Sequence, residues 1–288
     1  MQTNPTYTLI TGASKGLGRE YAIACAQRGL NLILVSLPGE KLNTLAEFLS
    51  NRYKILTVFY ELDLTRKESL LRLSDLIRLQ YPVNMIINNA GFGGSRQFES
   101  SSLDYLDDMI QLNIRAVSLL IRLLIPELRK HSKAWIMNIS SMAAFAPMPY
   151  KTIYPATKAF VHFFSRGLAA ELKGTNISVS VVHPGPIMTN DEVKERIMKY
   201  GKLGRIYIVP AETVATVSIQ EMLKGRKVIV PGRLNRFNRF LMKWLPEPLC
   251  ITITSRMVRN ELDIAVGKSK NRFTLPVTRW IHEQATAV

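Results

Sequence analysis

Tyr7-Thr8-Leu9-Ile10-Thr11-Gly12-Ala13-Ser14-Lys15-Gly16-Leu17-Gly18 is the stretch that decides the fold. A short apolar run breaks into a glycine-spaced turn, and the turn opens a helical pattern. That strand, turn and helix context separates a phosphate-binding loop from accidental glycines. Gly12 suits the tight turn, Gly16 lets the backbone approach a diphosphate, and Gly18 allows close helix packing. The N–H groups of the first helical turn, unpaired within the helix, then meet phosphate oxygens.

Beyond this loop the pattern alternates between strand and helix. Strands are expected at Tyr7–Thr11, Asn31–Ser36, Ile55–Tyr60, Met85–Asn88, Trp135–Ser140, Ser178–His183 and Lys227–Val230. Helices are expected at Leu17–Arg28, Lys41–Arg52, Lys67–Gln80, Leu103–Lys130, Tyr154–Lys173 and Ala211–Lys224, the long one broken in register around Asn113. Most of the strands are short apolar runs, as strands buried on both faces should be. The chain therefore reads as α/β, a doubly wound parallel sheet of about seven strands with helices on both faces. Residues 1–231 form the dinucleotide-binding and catalytic unit, and residues 232–288 a basic C-terminal helical extension.

Tyr154-Pro155-Ala156-Thr157-Lys158 carries the chemistry. Four residues apart on a helix, Tyr154 and Lys158 share a face at roughly 5.4 Å along the axis. A phenol titrates near ~10, too high for efficient proton transfer at neutral pH, and a nearby ammonium stabilises the phenolate. Tyrosine so placed becomes a general acid or base.

These motifs, with Asn88-Asn89-Ala90-Gly91, Asn113, Ser141, and Pro184-Gly185 followed by Thr189, stand in an order and at separations that resemble a short-chain dehydrogenase/reductase over roughly residues 6 to 231. The resemblance implies a Rossmann-type fold and an NAD(P)-dependent oxidoreductase with Asn113, Ser141, Tyr154 and Lys158 as its catalytic tetrad. Ser141 and Tyr154 would bind and protonate the carbonyl oxygen, Lys158 would depress the tyrosine pKa and bind the nicotinamide ribose, and Asn113, at a helix irregularity, would anchor a proton-relaying water. The coenzyme would lie along Gly12, Ser14, Lys15, Gly16, Leu17, Gly18, Ser36, Asp63, Leu64, Asn89, Ala90, Gly91, Pro184, Gly185, Ile187 and Thr189, besides Tyr154 and Lys158. Asp63 matches the family's adenine contact, with a turn aspartate as the alternative. Ser36 and Leu37 after the second strand offer no carboxylate to repel a 2′-phosphate and Lys15 offers it a cation, so NADP is favoured over NAD.

Around the expected site, Met142, Phe145, Met148, Pro149, Ile187 and Met188 make an apolar surround, followed by a substrate flap from Thr189 to Val209. Such side chains suit a hydrophobic ketone, aldehyde or secondary alcohol, with a 3-oxoacyl thioester or steroid-like ring among the candidates. His183 is set aside as acid or base because Tyr154 fills that role. His131, His162 and His282 show no ligand spacing, so no metal is expected.

Composition sets further bounds. The 288 residues carry 38 basic and 22 acidic side chains, a net +16, and from Lys224 onward the count is 13 basic against four acidic. Gly232 to Leu245 has helical periodicity, with Leu234, Phe237, Phe240, Leu241, Trp244 and Leu245 on one stripe and arginines largely opposite. Packing of that stripe on the sheet edge or another subunit is favoured over docking on anionic lipid. An acidic carrier protein would be drawn to the same surface, while nucleic acid is set aside because no binding motif accompanies the charge. The alternative function is thus a coenzyme-binding interaction protein acting at a membrane or acidic partner through this helix. A homodimer or homotetramer is expected. The N-terminus lacks signal-peptide features, Ala116 to Pro126 falls short of the ~18 residues of a spanning helix, and only Cys25 and Cys250 are present. A cytoplasmic setting with reduced thiols follows, with peripheral membrane contact as the variant.

Overall fold

The computed structural model describes residues 5–187 and 208–269. Seven parallel strands form one sheet in the order β3-β2-β1-β4-β5-β6-β7. They are β1 Tyr7–Thr11, β2 Asn31–Ser36, β3 Thr57–Glu61, β4 Val83–Asn88, β5 Ala134–Ile139, β6 Ile177–Val182 and β7 Val228–Ile229. The strand order reverses direction between β1 and β4, and at such a switch point the carboxyl ends of the strands leave a crevice for a ligand.

Most strand ends shift by one or two residues from the sequence reading, and two of the shifts have a plain local cause. β3 starts at Thr57, not Ile55, because Lys54 closes the preceding helix in the left-handed region (φ 56°) and the Leu56 N–H is taken by Asn31 Oδ1 at 2.9 Å. β7 is only two residues long, since Pro231 has no N–H to extend the ladder.

Helices α1 Gly16–Ala26, α2 Leu42–Tyr53, α3 Lys67–Gln80, α4 Leu103–Ile110, α5 Val117–Leu128, α6 Ile153–Glu171 and α7 Ala211–Leu223 cover both faces. Successive side chains along a strand point to opposite faces, which divides the core in two. Ile10, Leu32 and Leu34 pack with Tyr21, Leu49 and Ile219 on one side, whereas Leu9, Ile33 and Ile86 pack with Leu70, Leu120 and Leu124 on the other. A buried polar chain also crosses the sheet. Asn88 Nδ2 donates to Asn138 Oδ1 (2.8 Å), Asn138 Nδ2 to Ser165 Oγ (2.9 Å), and Ser165 Oγ to Val161 O (2.6 Å), tying β4 and β5 to α6.

α4 and α5 are joined without a break by a π-helical segment, Gln111–Ala116, which widens the helix at Asn113 where the register was expected to fail. The resulting Leu103–Leu128 run of 26 residues is long and apolar enough to cross a membrane, which the shorter stretch considered in the sequence was not. Here it is a core helix, with Leu120, Ile121, Leu124 and Leu128 buried in the second face of the core.

The extension begins with α8 Arg233–Trp244 and α9 Glu247–Ser269. Within the chain the α8 stripe does not pack on the sheet edge, the first of the two packings expected for it. Phe237, Phe240 and Trp244 are exposed, and it is Asn235 that is buried. The cause is local: Gly185 leaves a hollow in which a Cβ would lie 2.6 Å from the Asn235 amide nitrogen, and that amide donates to Pro231 O at 3.1 Å. α9 is anchored by Thr254 Oγ1 donating to Pro147 O at 2.9 Å and by buried Val258.

Asn138→Ala removes the side-chain acceptor of the Asn88 amide in a fully buried setting. A loss of about 2–3 kcal/mol is expected in urea unfolding, larger than a surface Asn→Ala change; a loss under about 0.5 kcal/mol contradicts the role given to this chain of amides.

Candidate active site

The glycine turn is built as its sequence requires. Gly12 and Gly16 lie at φ +64° and +56°, in the left-handed region, and a Cβ on Gly18 would stand 1.9 Å from the Gly12 carbonyl oxygen. β4 clamps the turn. Thr11 Oγ1 accepts from the N–H groups of Asn89 (3.1 Å) and Ala90 (3.0 Å), while Asn89 Nδ2 donates to the carbonyls of Thr11 and Gly12, both at 3.1 Å. The N-terminus of α1 has no side-chain cap. A bare backbone cradle with uncapped helix amides fits a dinucleotide diphosphate. Gly91 extends it, since a Cβ there would meet Asn113 Oδ1 at 2.8 Å and Lys158 Nζ at 3.2 Å.

The adenosine side corrects the sequence reading in one respect. No carboxylate was expected near the 2′-position, yet Glu40, from the loop after β2, accepts hydrogen bonds from Ser14 Oγ and from Lys15 Nζ, the latter at 2.5 Å. Partial burial would raise the Glu40 pKa, but the hydrogen bonds from Lys15 and Ser14 outweigh it and hold the carboxyl below its ordinary value. Ser36 is buried at the end of β2 with its hydroxyl donating to Leu37 O (3.1 Å). Asp63 stands in a turn: Oδ1 accepts from Thr65 N (2.9 Å) and Thr65 Oγ1 (2.7 Å), and Oδ2 lies 3.7 Å from Arg66 Nε. Leu64 is buried in the core.

Three of the four residues expected to carry the chemistry converge. A cavity of about 400 Å³ at the carboxyl ends of β4 to β6 is walled by Ser141, Tyr154 and Lys158 together with Leu17, Asn89 and Gly91, and on its far side by Pro184, Gly185 and Ile187. Lys158 is buried, its ammonium donating to Ile139 O (3.0 Å) and standing 5.8 Å from the centre of the Tyr154 ring. Tyr154 lies tight against Gly93, where a Cβ would come within 2.3 Å of the ring. Ser140, just after β5, turns its hydroxyl onto Lys158 O (2.7 Å), whereas Ser141 Oγ accepts from Ala143 N (3.1 Å) at the cavity wall. Asn113 stands behind Gly91, outside the wall. Its Oδ1 accepts from Phe92 N (3.1 Å) and its Nδ2 donates to Phe92 O (2.9 Å) and Thr157 Oγ1 (3.0 Å). Thr189, Met188 and the flap up to residue 207 lie outside the described residues.

Three supports were invisible in the sequence. Thr11 clamps Asn89, as described. Thr157 bridges Asn113 to α6 by donating to Tyr154 O at 2.8 Å. His183, fully buried, faces the Ser141 carbonyl with Nδ1 at 3.1 Å and His162 Nδ1 with Nε2 at 3.0 Å. Because a carbonyl only accepts, His183 carries its proton on Nδ1, so Nε2 accepts from His162. Burial pushes its pKa down to about 3, so near neutral pH it is uncharged and holds the Ser141 carbonyl through Nδ1. The only sequence signal for it was its place just before Pro184-Gly185.

A second, apolar groove of about 510 Å³ adjoins the cavity, both having Ala143 in their walls. Phe145, Met148, Pro149 and Pro155 line it together with Ile251 of α9. Of the apolar residues singled out in the sequence, Met142 and Ile187 face the catalytic cavity instead. Among the described residues, no group of three His, Cys, Asp or Glu side chains is placed to hold a metal.

Burial lowers the Lys158 pKa from 10.5 to about 8. Between those values the unfolded chain holds a proton that the folded chain has released, so stability should rise with pH across that window. Urea unfolding at either end should show the rise in wild type and not in Lys158→Met; equal slopes in the two proteins contradict it.

Comparison with known proteins agrees with this geometry. Residues 6–199 match the family model described as short chain dehydrogenase. The very-long-chain 3-oxoacyl-CoA reductase of Anas platyrhynchos is 36% identical over 190 residues, 64% of this chain and 60% of that protein; one from Danio rerio is 34% identical over 188 residues with the same shares. The chain thus spans about 60% of the length of those relatives. Among solved structures, a bulky-bulky ketone specific alcohol dehydrogenase from Comamonas testosteroni superposes with a TM-score of 0.70 at 29% identity, covering 85% of this chain and 96% of that one. A short-chain dehydrogenase from Sphingobium yanoikuyae in complex with NADPH gives 0.71 at 28% identity, covering 84% and 97%. Its glycine cradle, its clamped β4 end and its Ser141, Tyr154 and Lys158 facing one cavity agree with the family match: the chain belongs to the short-chain dehydrogenase/reductase family.

Proposed function

We propose that this enzyme transfers hydride between NADP and an apolar carbonyl or its alcohol, of the 3-oxoacyl or steroid-like class. The observation that carries the substrate class is the groove: an almost wholly apolar channel beginning at the wall of the catalytic cavity suits an acyl chain or fused ring whose carbonyl rests between Ser141 and Tyr154. The names of the relatives, 3-oxoacyl-CoA reductases and a bulky-ketone dehydrogenase, point the same way.

The glycine cradle of Gly12, Gly16 and Gly18, with Asn89 to Gly91, would hold the coenzyme, whose nicotinamide would supply the hydride when bound. The chain's own residues do the rest. As negative charge grows on the carbonyl oxygen, the hydroxyls of Ser141 and Tyr154 donate to it, and Tyr154 gives up its proton. The nearby Lys158 ammonium favours the resulting phenolate. His183 holds the Ser141 carbonyl, and Asn113 and Thr157 fix the floor beneath Lys158 and Tyr154.

NADP is supported by Lys15 and Ser14, two donors on the glycine turn suited to a 2′-phosphate, and by the uncharged end of β2 at Ser36 and Leu37. Glu40 opposes that phosphate and competes for the same donors. Glu40→Gln is therefore expected to lower the KM for NADPH by about fivefold and leave that for NADH within about twofold, since one repelled charge near a surface is worth about 1 kcal/mol; parallel changes in both would show that NADP is not held here.

Tyr154→Phe removes the proton donor without altering the shape of the cavity. Turnover of a bulky ketone is expected to fall by at least about 100-fold with coenzyme binding, read by NADPH fluorescence, preserved. Retained turnover sinks the mechanism.

A further inference from the structure

α8 is amphipathic in the reverse of the usual sense. Its polar side faces the protein: Asn235 is buried against Gly185, and the Arg239 guanidinium lies over the Phe145 ring at 5.2 Å. Its aromatic side faces out, with Trp244 75%, Phe237 62% and Phe240 60% exposed, and Leu234 and Leu241 nearly half exposed. The rings of Phe240 and Trp244, one helical turn apart, stand 6.3 Å from each other. A contiguous aromatic face of this kind left in water calls for a cover.

The charge says which cover. The ionisable residues of α8 are Arg233, Arg236, Arg239 and Lys243, without a single Asp or Glu. At 100° per residue Arg233 and Arg236 sit within and beside the aromatic arc, and both are exposed. Large aromatic side chains interspersed with arginines on a helix of low overall hydrophobicity match the lipid–water boundary, where rings sit at headgroup depth and guanidinium groups meet phosphates. A second copy of this chain would bring equal positive charge to the same face and be repelled.

The helix also stands at the entrance to the site. Asn235 presses on Gly185 in the wall of the catalytic cavity, Phe145 beneath Arg239 lines the apolar groove, and α9, following after Leu245 and Pro246, contributes Ile251 to that groove.

We infer that α8 beds into an anionic lipid surface through Phe237, Phe240 and Trp244, with Arg233 and Arg236 on the headgroup phosphates, so that the enzyme takes its apolar substrate from the bilayer into the groove. The delivery half rests on the substrate class proposed above; the docking half does not.

The test uses the full chain and sedimented vesicles of phosphatidylcholine, with or without phosphatidylglycerol. Wild type is expected to sediment with the phosphatidylglycerol vesicles, less so at high salt. The combined Phe237→Ser, Phe240→Ser and Trp244→Ser variant is expected to lose at least about tenfold in binding while turning over a short water-soluble ketone at the wild-type rate and losing only the vesicle-dissolved one. Wild type left in the supernatant, equal sedimentation of the variant, or equal binding to neutral vesicles overturns the inference. So does a wild type that binds no vesicle but runs as an oligomer which the variant dissociates, because the cover is then a second copy. Vesicle binding with no turnover of any ketone leaves the docking standing and sinks the substrate class.

Discussion

Asn89 holds the carbonyls of Thr11 and Gly12 in a geometry that no side chain on Gly18 would permit. Everything on the coenzyme side follows from that clamp. It fixes the switch point between β1 and β4, opens the first turn of α1 toward the crevice, and brings Gly91 beside Asn113 and Lys158. The close approach is only possible where Cβ atoms are missing, so the glycines act here by their bulk as much as by their torsions. Thr11 completes the clamp with one hydroxyl accepting two backbone N–H groups, a side chain substituting for the sheet ladder where the strands diverge.

The catalytic side depends on burying a cation. Lys158 loses hydration in the core and recovers part of it from Ile139 O, and its pKa falls accordingly. Buried polar groups in this region are consistently paired: the Asn88, Asn138 and Ser165 chain, the Asn113 amide spread over Phe92 and Thr157, and the His162–His183 pair ending on Ser141 O. Each pairing costs freedom and returns position, which is what hydride transfer between two fixed partners needs. An apolar groove lies beside this polar lattice, the catalytic cavity and the groove sharing Ala143 in their walls.

The same contrast explains the extension. Its first helix was expected to pack its stripe on the sheet edge or on another subunit because its apolar residues recur with helical period. Periodicity reports that two faces differ, not which one turns inward. Here the hollow over Gly185 accepts an amide and the space above Phe145 accepts a guanidinium, so the polar face docks and the aromatic face is left outside.

Local physics made most of the architecture legible in the sequence: apolar runs of strand length, glycines at the turn, and the register failure at Asn113 that became a π-helical segment. The four-residue step from Tyr154 to Lys158 needed only helix geometry. What the chain could not disclose are contacts between residues far apart along it. Glu40 reaching the glycine turn, Asp63 occupied by Thr65 and Arg66, His183 held between Ser141 and His162, and α9 closing the groove with Ile251 all depend on where loops and helices come to rest after packing. Spacing along a chain sets the local period, and only the folded core sets which distant groups share a wall.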